Sequence, residues 1–503
     1  MINISLLYPD DRKYDLDHVP GHAARLALDL ELPVLFKAMA RDDKTVDTAV
    51  RQIILGQRST EISVIIFRQQ IQKDFICYTE LLAKLYQLSM DALGAYRESL
   101  RFWLSAKSAS RRLRSNLDIL DMLLTQLSSV RDLGESYPAL ESSGLKKFFR
   151  FLQKYYDDET LHSLRAQITT LRMDNGFSVS AKLDHNNRSQ EFFLNRDQPS
   201  THWLKNWFPL VAAEEGYSFT IAQRDESGLT ALAEFRDAAL EPVARLMDSA
   251  VHQLLDFFTR LRDETAFYRG ALNLRAALEA REYPLCWPVP LSSQPTSCVA
   301  SRIYDPCLAL SQEKRVITND LQASNKSLLI ITGANSGGKS TFLRALGVNQ
   351  LLLQSGLETA AQEFSASICD EVYTHFKLEE DASMHSGKFE EELLRMADLV
   401  PHLKATAMFL FNESFAATNE REGAEIAWQI CTALLEKGIK IIFVTHLYTF
   451  AQRCYTQKGS NILALRAPSE ENLSMKYKMS EAEPLNTSFA KDVYNRIFEY
   501  KNK

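Results

Sequence analysis

Residues 333–340 read Gly-Ala-Asn-Ser-Gly-Gly-Lys-Ser, a glycine-rich octet closed by a lysine and a hydroxyl. The pattern is G-x-x-x-x-G-K-[ST], and each residue type has a task at a polyphosphate. Gly333, Gly337 and Gly338 permit dihedrals and close approach that a Cβ would block, so successive backbone N–H groups can curl around phosphate oxygens. Lys339 brings a cation to the β and γ phosphates, and the Ser340 hydroxyl can ligate Mg²⁺. Ala334, Asn335, Ser336 and Thr341 complete the loop and its exit into the next segment. A glycine-rich structural turn with a stray lysine is the alternative. The context argues against it, because apolar "SLLIIT" (327–332) precedes the octet and a helical stretch over 339–354 follows. The helix offers its positive end to the anion. Binding of ATP or GTP with Mg²⁺ is expected.

A second candidate is "FLFNESFAATNE", 409–420. An apolar strand ends there on Asn412 and Glu413. A nucleotide hydrolase needs a carboxylate at this place to polarise the attacking water, which makes Glu413 the candidate catalytic residue. A helix cap or a surface charge is the plainer alternative. Asn412 stands where an Asp usually supports Mg²⁺ and its waters. Asn keeps the shape and an acceptor oxygen but not the charge. Magnesium retains most of its water shell, so weaker metal affinity or slower turnover is expected rather than loss of nucleotide binding. His446 closes the next apolar run, "KIIFVT" (440–445). No serine, cysteine or aspartate constellation points to another chemistry. His375 and His385 lack metal-ligand spacing and are expected as ordinary surface or cap residues.

These residues need elements to hold them. The chain has 503 residues, enough for two to four domains. Hydrophobic residues make up 46% and charged residues 24%, the balance of a soluble globular protein. Fifty-eight basic against 64 acidic residues give −6, which excludes a uniformly basic nucleic-acid coat but not a local basic face. Seven scattered cysteines without C-x-x-C spacing imply reduced thiols rather than a zinc site or disulfide framework. The start of the chain lacks a signal-peptide pattern and no apolar run approaches ~20 residues, so a cytoplasmic protein with no membrane partner is expected.

The organisation expected is multidomain. Residues 1–165 read as helical, with leucines near a 3.6 period in 79–104. The basic cluster "SAKSASRRLRS" (105–115) is either a solvated helix face or a loop touching phosphates. A small β-rich module over 166–228 interrupts, with alternation at Phe177, Val179 and Ala181 before a turn at 184–187. "YSFTIA" (217–222) is a further strand candidate. Helix returns over 229–282. Prolines and serines crowd 283–299, which is a linker or an extended edge. From 300 to 503, strands alternate with helices, implying a parallel sheet covered on both faces.

The octet and its surroundings, "LLIITGANSGGKSTFLRALGVNQLLLQSG", resemble the nucleotide loop of the MutS DNA mismatch repair ATPases. Four further blocks agree in order: "VITNDL", "LETAAQEFSASICDEVYTHFKLEED", "LFNESFAATNEREGAEIAWQI" and "IIFVTHLYTFA". Together they cover about 150 residues, and "EISVIIFRQQIQKDF" with the long helices resembles the family's core and lever region. The resemblance implies an N-terminal all-α core/lever region with a small β insertion and a C-terminal α/β P-loop ATPase of ABC type. It implies ATP and Mg²⁺ as ligands, a homodimer and association with DNA. By resemblance, Asn319 helps cradle the base and His446 contacts the γ-phosphate. Thr418 lies on the dimer seam, and Ser386, Gly387 and Lys388 form the signature segment facing the partner's nucleotide. Here Gly387-Lys388 precede Phe389 where the family usually shows Ser-Thr. The β module sits where the family inserts a DNA clamp, with Lys182 and Arg188 available to the backbone; a purely structural unit is the alternative. The family's Phe-x-Glu mismatch wedge does not occur in the first hundred residues, so mismatch reading by that route is not expected. Two functions remain: an ATP-hydrolysing, DNA-associated dimer whose heads close on ATP, or a nucleotide-gated binding module with slow or no hydrolysis, gripping a protein or branched nucleic acid.

Overall fold

The computed structural model describes residues 4–10, 12, 14–103, 108–172, 178–183, 189–195, 225–334, 337–377, 387–457, 459, 461–468 and 477–485. Asn335, Ser336, Ser386, Arg188, His385, the turn at 184–187 and the 217–222 stretch lie outside these residues. The chain divides into two compact units, one of Met1–Ile4, Ala83–Leu140 and Lys146–Arg262, the other of Ser5–Leu82, Glu141–Leu145 and Asp263–Lys503.

The helices run α1 Ala23–Asp29, α2 Leu32–Ala40, α3 Lys44–Gly56, α4 Ile62–Cys77, α5 Thr79–Trp103, α6 Ala109–Ser136, α7 Ser143–Tyr155 and α8 Asp158–Arg172. The pair β1 Ser178–Leu183 and β2 Ser189–Asn195 follows, antiparallel, with Val179 opposite Leu194 and Lys182 opposite Glu191. Helix α9 then spans Glu226–Glu279.

Within the first unit, ion pairs and caps lock helix to helix. Arg131 bonds Asp158 at 2.7 Å and Arg172 bonds Asp118 at 3.0 Å, joining α6 to α8. Asp237 of α9 accepts from Ser108 Oγ and from the Ser110 N–H at the start of α6. Arg112, from the basic cluster, pairs with Glu241 at 2.9 Å, so this member serves helix packing while Arg111 and Arg114 stay exposed.

The second unit holds the sheets: β3 Val289–Leu291, β4 Ser297–Ile303, α10 Pro306–Ser311, β5 Asn319–Ser324, β6 Leu328–Gly333, α11 Lys339–Ser355, β7 Glu363–Ser367 and β8 Val372–Phe376 come first. Then follow α12 Lys388–Leu399, β9 Met408–Asn412, α13 Glu420–Glu436, β10 Lys440–Val444, α14 Tyr448–Thr456, β11 Ile462–Ala467 and β12 Ser480–Glu481. The larger sheet has the order β12-β11-β6-β10-β9-β8, parallel except at β12. Residues 408–411 and 440–444 are buried throughout, as a strand covered on both faces demands. Phe409, Phe411 and Phe443 stack at 4.3 and 4.8 Å between centroids and fill the layer toward α13 and α14.

The smaller sheet has the order β3-β7-β4-β5. Within the Pro-rich stretch, Pro290 lies in β3, an edge strand, where a missing N–H is tolerated. Residues 5–82 pack within this unit because α4 is buried on more than one face and its polar side chains find partners there. Arg68, fully buried, donates to Leu7 O and Gln57 O at 2.9 Å; Gln69 donates to Pro288 O; Asp74 accepts the N–H of Ser142 at 2.8 Å. The seven cysteines are free, with Cys298, Cys307, Cys369, Cys431 and Cys454 buried. No helix among the described residues is long and apolar enough to cross a membrane.

Candidate nucleotide site

The site forms where three neighbouring parallel strands, β6, β10 and β9, stop at the same edge of the sheet. From β6 the chain turns at Gly333, φ +118°, where a Cβ would lie 2.5 Å from Ala467 O on β11. It enters α11 through Gly338, φ +84°. Only glycine meets both demands without strain. Lys339 is 4% exposed, and its Nζ donates to Ala334 O at 2.8 Å and Gly333 O at 3.1 Å. Burial pulls its pKa below the ordinary lysine value, so the cation is poorly solvated and ready for an anion.

Ser340 Oγ donates to Asn412 Oδ1 at 2.9 Å, joining α11 to the end of β9. The two oxygens are hard donors of the kind Mg²⁺ accepts, with no charge of their own. Among the described residues no cluster of three or more His, Cys, Asp or Glu offers a metal cage. Glu413 follows directly, φ 55°, its N–H bonded to Val444 O at 2.8 Å. Its carboxylate meets His446 Nε2 at 2.9 Å, from the end of β10. The His446 hydrogen bond, above all, holds the Glu413 carboxyl below the usual range, with Lys339 adding a smaller pull. Lys339, Ser340, Asn412, Glu413 and His446 are thus brought together.

The other predicted residues lie elsewhere or in different contacts. Thr418 bonds Glu422 Oε2 at 2.9 Å, in the turn into α13. Gly387 is the exposed N-cap of α12, with nothing within 4 Å of a would-be Cβ, and Lys388 is the first residue of that helix. Thr341 sits on α11. Asn319 is buried at the head of β5, where it donates to Tyr477 O at 3.2 Å and accepts from the Met479 N–H at 2.7 Å. Tyr477, with φ 67°, rests its ring 3.3 Å from a would-be Cβ on Gly338. This residue at the loop was not singled out from sequence, since 139 positions separate it from Gly338 and no spacing links them.

His375 requires a correction. Expected as a surface or cap residue, it is fully buried on β8, bonded to Ser414 and to the Glu392 backbone. Strand register causes this: β8 lies beside β9, so His375 falls opposite Phe411 and reaches the turn after it.

A prediction follows from the Glu413–His446 pair. The depressed Glu413 pKa keeps the carboxylate ionised to lower pH. In His446→Ala the main cause of that depression is gone, so the acidic limb of the pH profile for kcat moves upward. An unmoved limb would separate His446 from Glu413 function.

Two family profiles together match most of the chain. The profile of the MutS2 N-terminal domain matches residues 60–281, and that of MutS domain V matches residues 329–496. MutS protein homolog 4 from Homo sapiens is 24% identical over 262 residues, 51% of this chain and 27% of that protein. The DNA mismatch repair protein MutS of Chlorobium chlorochromatii is 25% identical over 256 residues, 48% of this chain and 29% of its own. That of Thermotoga maritima is 31% identical over 131 residues, 26% and 16% respectively. The chain thus spans less than a third of the length of these relatives.

Proposed function

Because the chain belongs to the MutS family, with a helix-rich N-terminal region and a C-terminal α/β domain, we propose that it is an ABC-type ATPase that couples ATP to its grip on DNA as a dimer. The observation that carries the reading is the convergence of Lys339, Ser340, Asn412, Glu413 and His446 at one sheet edge. The named activity of the relatives, DNA mismatch repair, supports DNA as the partner.

In this reading Lys339 and the backbone of 333–340 hold the β and γ phosphates. Ser340 would hold Mg²⁺, with Asn412 beside it to support the metal's waters. The metal, when bound, neutralises charge on the phosphates. Glu413 orients and accepts a proton from the attacking water, and His446 keeps that carboxylate charged and placed. Asn319, with Tyr477 over Gly338, borders the base side. Gly387, Lys388 and Thr418 would face the second subunit, so that ATP draws the two heads together.

Asn412 sets the pace. Asn412→Asp places a charge 2.9 Å from the Ser340 hydroxyl. It is expected to tighten Mg²⁺ binding about three- to tenfold, since Mg²⁺ prefers carboxylate to amide oxygen. Titration of ATP binding against free Mg²⁺ reads this; an unchanged Mg²⁺ midpoint would remove Asn412 from the metal site. The dimer is tested by sedimentation of Glu413→Gln with MgATP. A concentration-dependent doubling of mass is expected, and a mass that stays monomeric with ATP bound would refute head closure.

A further inference from the structure

The turn that carries Glu413 is not held by the strand alone. Two residues in it adopt left-handed backbone without being glycine, Glu413 at φ 55° and Phe415 at φ 64°. Such a turn persists only where its surroundings dictate it. The surrounding side chains do so. The Phe415 N–H donates to Glu392 Oε2 at 2.7 Å. Ser414 Oγ lies 2.8 Å from His375 Nδ1, and His375 Nε2 lies 3.0 Å from Glu392 O. The Phe415 ring stacks on the His375 ring at 5.3 Å. All four side chains are buried, Ser414, Phe415 and His375 fully, with Glu392 3% exposed.

The protons are constrained. Nε2 faces a carbonyl oxygen and must carry hydrogen, and burial drives the His375 pKa down to about 4, so the ring is neutral. The Ser414 hydroxyl donates to the His375 carbonyl oxygen and lies beside Nδ1, so Ser414 is held to β8 through both the backbone and the ring of His375. The contacts run from α12 through β8 to the residue beside Glu413.

We propose that Glu392, His375 and Ser414 are positioning residues that fix the Glu413 carboxylate and tie it to α12, so that displacement of that helix moves the carboxylate. Glu392 stands one turn inside α12, whose N-terminus carries Gly387 and Lys388. The signature segment of one subunit is thereby linked to that subunit's own catalytic residue. This rests on the reading of Glu413 as the catalytic base.

The test compares Glu392→Ala, Glu392→Gln and Ser414→Ala in steady-state ATP hydrolysis and in amide hydrogen exchange of the peptide covering 410–418. In Glu392→Ala, kcat is expected to fall about ten- to a hundredfold through misplacement of the carboxylate. KM for ATP should stay within about twofold, the pattern of an interaction made only in the transition state. Exchange at 413–415 should accelerate while the 440–445 peptide is unchanged. Ser414→Ala should show the same split. Glu392→Gln keeps an oxygen for the Phe415 N–H and should restore both readouts. Unchanged exchange in Glu392→Ala, or faster exchange with wild-type kcat, would overturn the proposal. Turnover that survives Glu413→Gln would instead remove the catalytic reading of Glu413, and the positioning role with it; that control distinguishes the two failures.

Discussion

Lys339→Ala is expected to abolish ATP binding at concentrations that saturate the wild-type protein. The side chain is 4% exposed and its ammonium rests on the carbonyls of Ala334 and Gly333. Burial has lowered its pKa, so the folded chain keeps the charge there at a cost that a polyphosphate would offset. Hydrogen bonds to charged groups contribute about 1.5–3 kcal/mol each. Two such contacts to phosphate oxygens correspond to a loss of about 10²–10⁴ in affinity. The fold should not suffer in parallel, because the substitution removes a poorly solvated charge. Titration with a fluorescent ATP analogue, beside a thermal melt, reads both quantities. A dissociation constant within about threefold of wild type would show that the octet is a structural turn.

Glu413→Gln separates binding from chemistry. The amide has the shape of the carboxylate and can still meet His446, but it cannot take a proton from water. General-base catalysis contributes about 10²–10⁴ in rate, and kcat should fall by that factor. ATP affinity should change little, because the carboxylate's role is in the transition state. Single-turnover hydrolysis with labelled ATP measures the step itself. Equal loss of binding and turnover would make Glu413 a structural residue of the turn, consistent with a cap and not a base.

The candidate site was legible in the sequence where the chemistry is local. The glycines at 333 and 338 adopt the positive φ that their type permits. Apolar runs at 327–332, 407–411 and 440–445 announced buried strands, and β6, β9 and β10 fall within a residue of them. Since those strands are parallel neighbours, the residues at their ends converge, which is how Ser340 meets Asn412 and Glu413 meets His446. What depends on register or on long-range return of the chain was not legible. His375 reaches Ser414 only because β8 pairs with β9, and Tyr477 reaches Gly338 from 139 residues away. Nor does composition show that α4 belongs with the sheets, because its buried Arg68, Gln69 and Asp74 look like surface residues until their carbonyl and N–H partners at Leu7, Pro288 and Ser142 are in place.

ATP turnover at this site is expected to be coupled to DNA. Steady-state hydrolysis by the full chain, without DNA and with duplex, mismatched and branched DNA, tests it directly, with Lys339→Ala and Glu413→Gln as controls. The expected result is a rate that at least one of these DNAs changes and that both substitutions remove. ATP bound without turnover, indifferent to every DNA, would contradict it and leave a nucleotide-gated module whose partner is a protein.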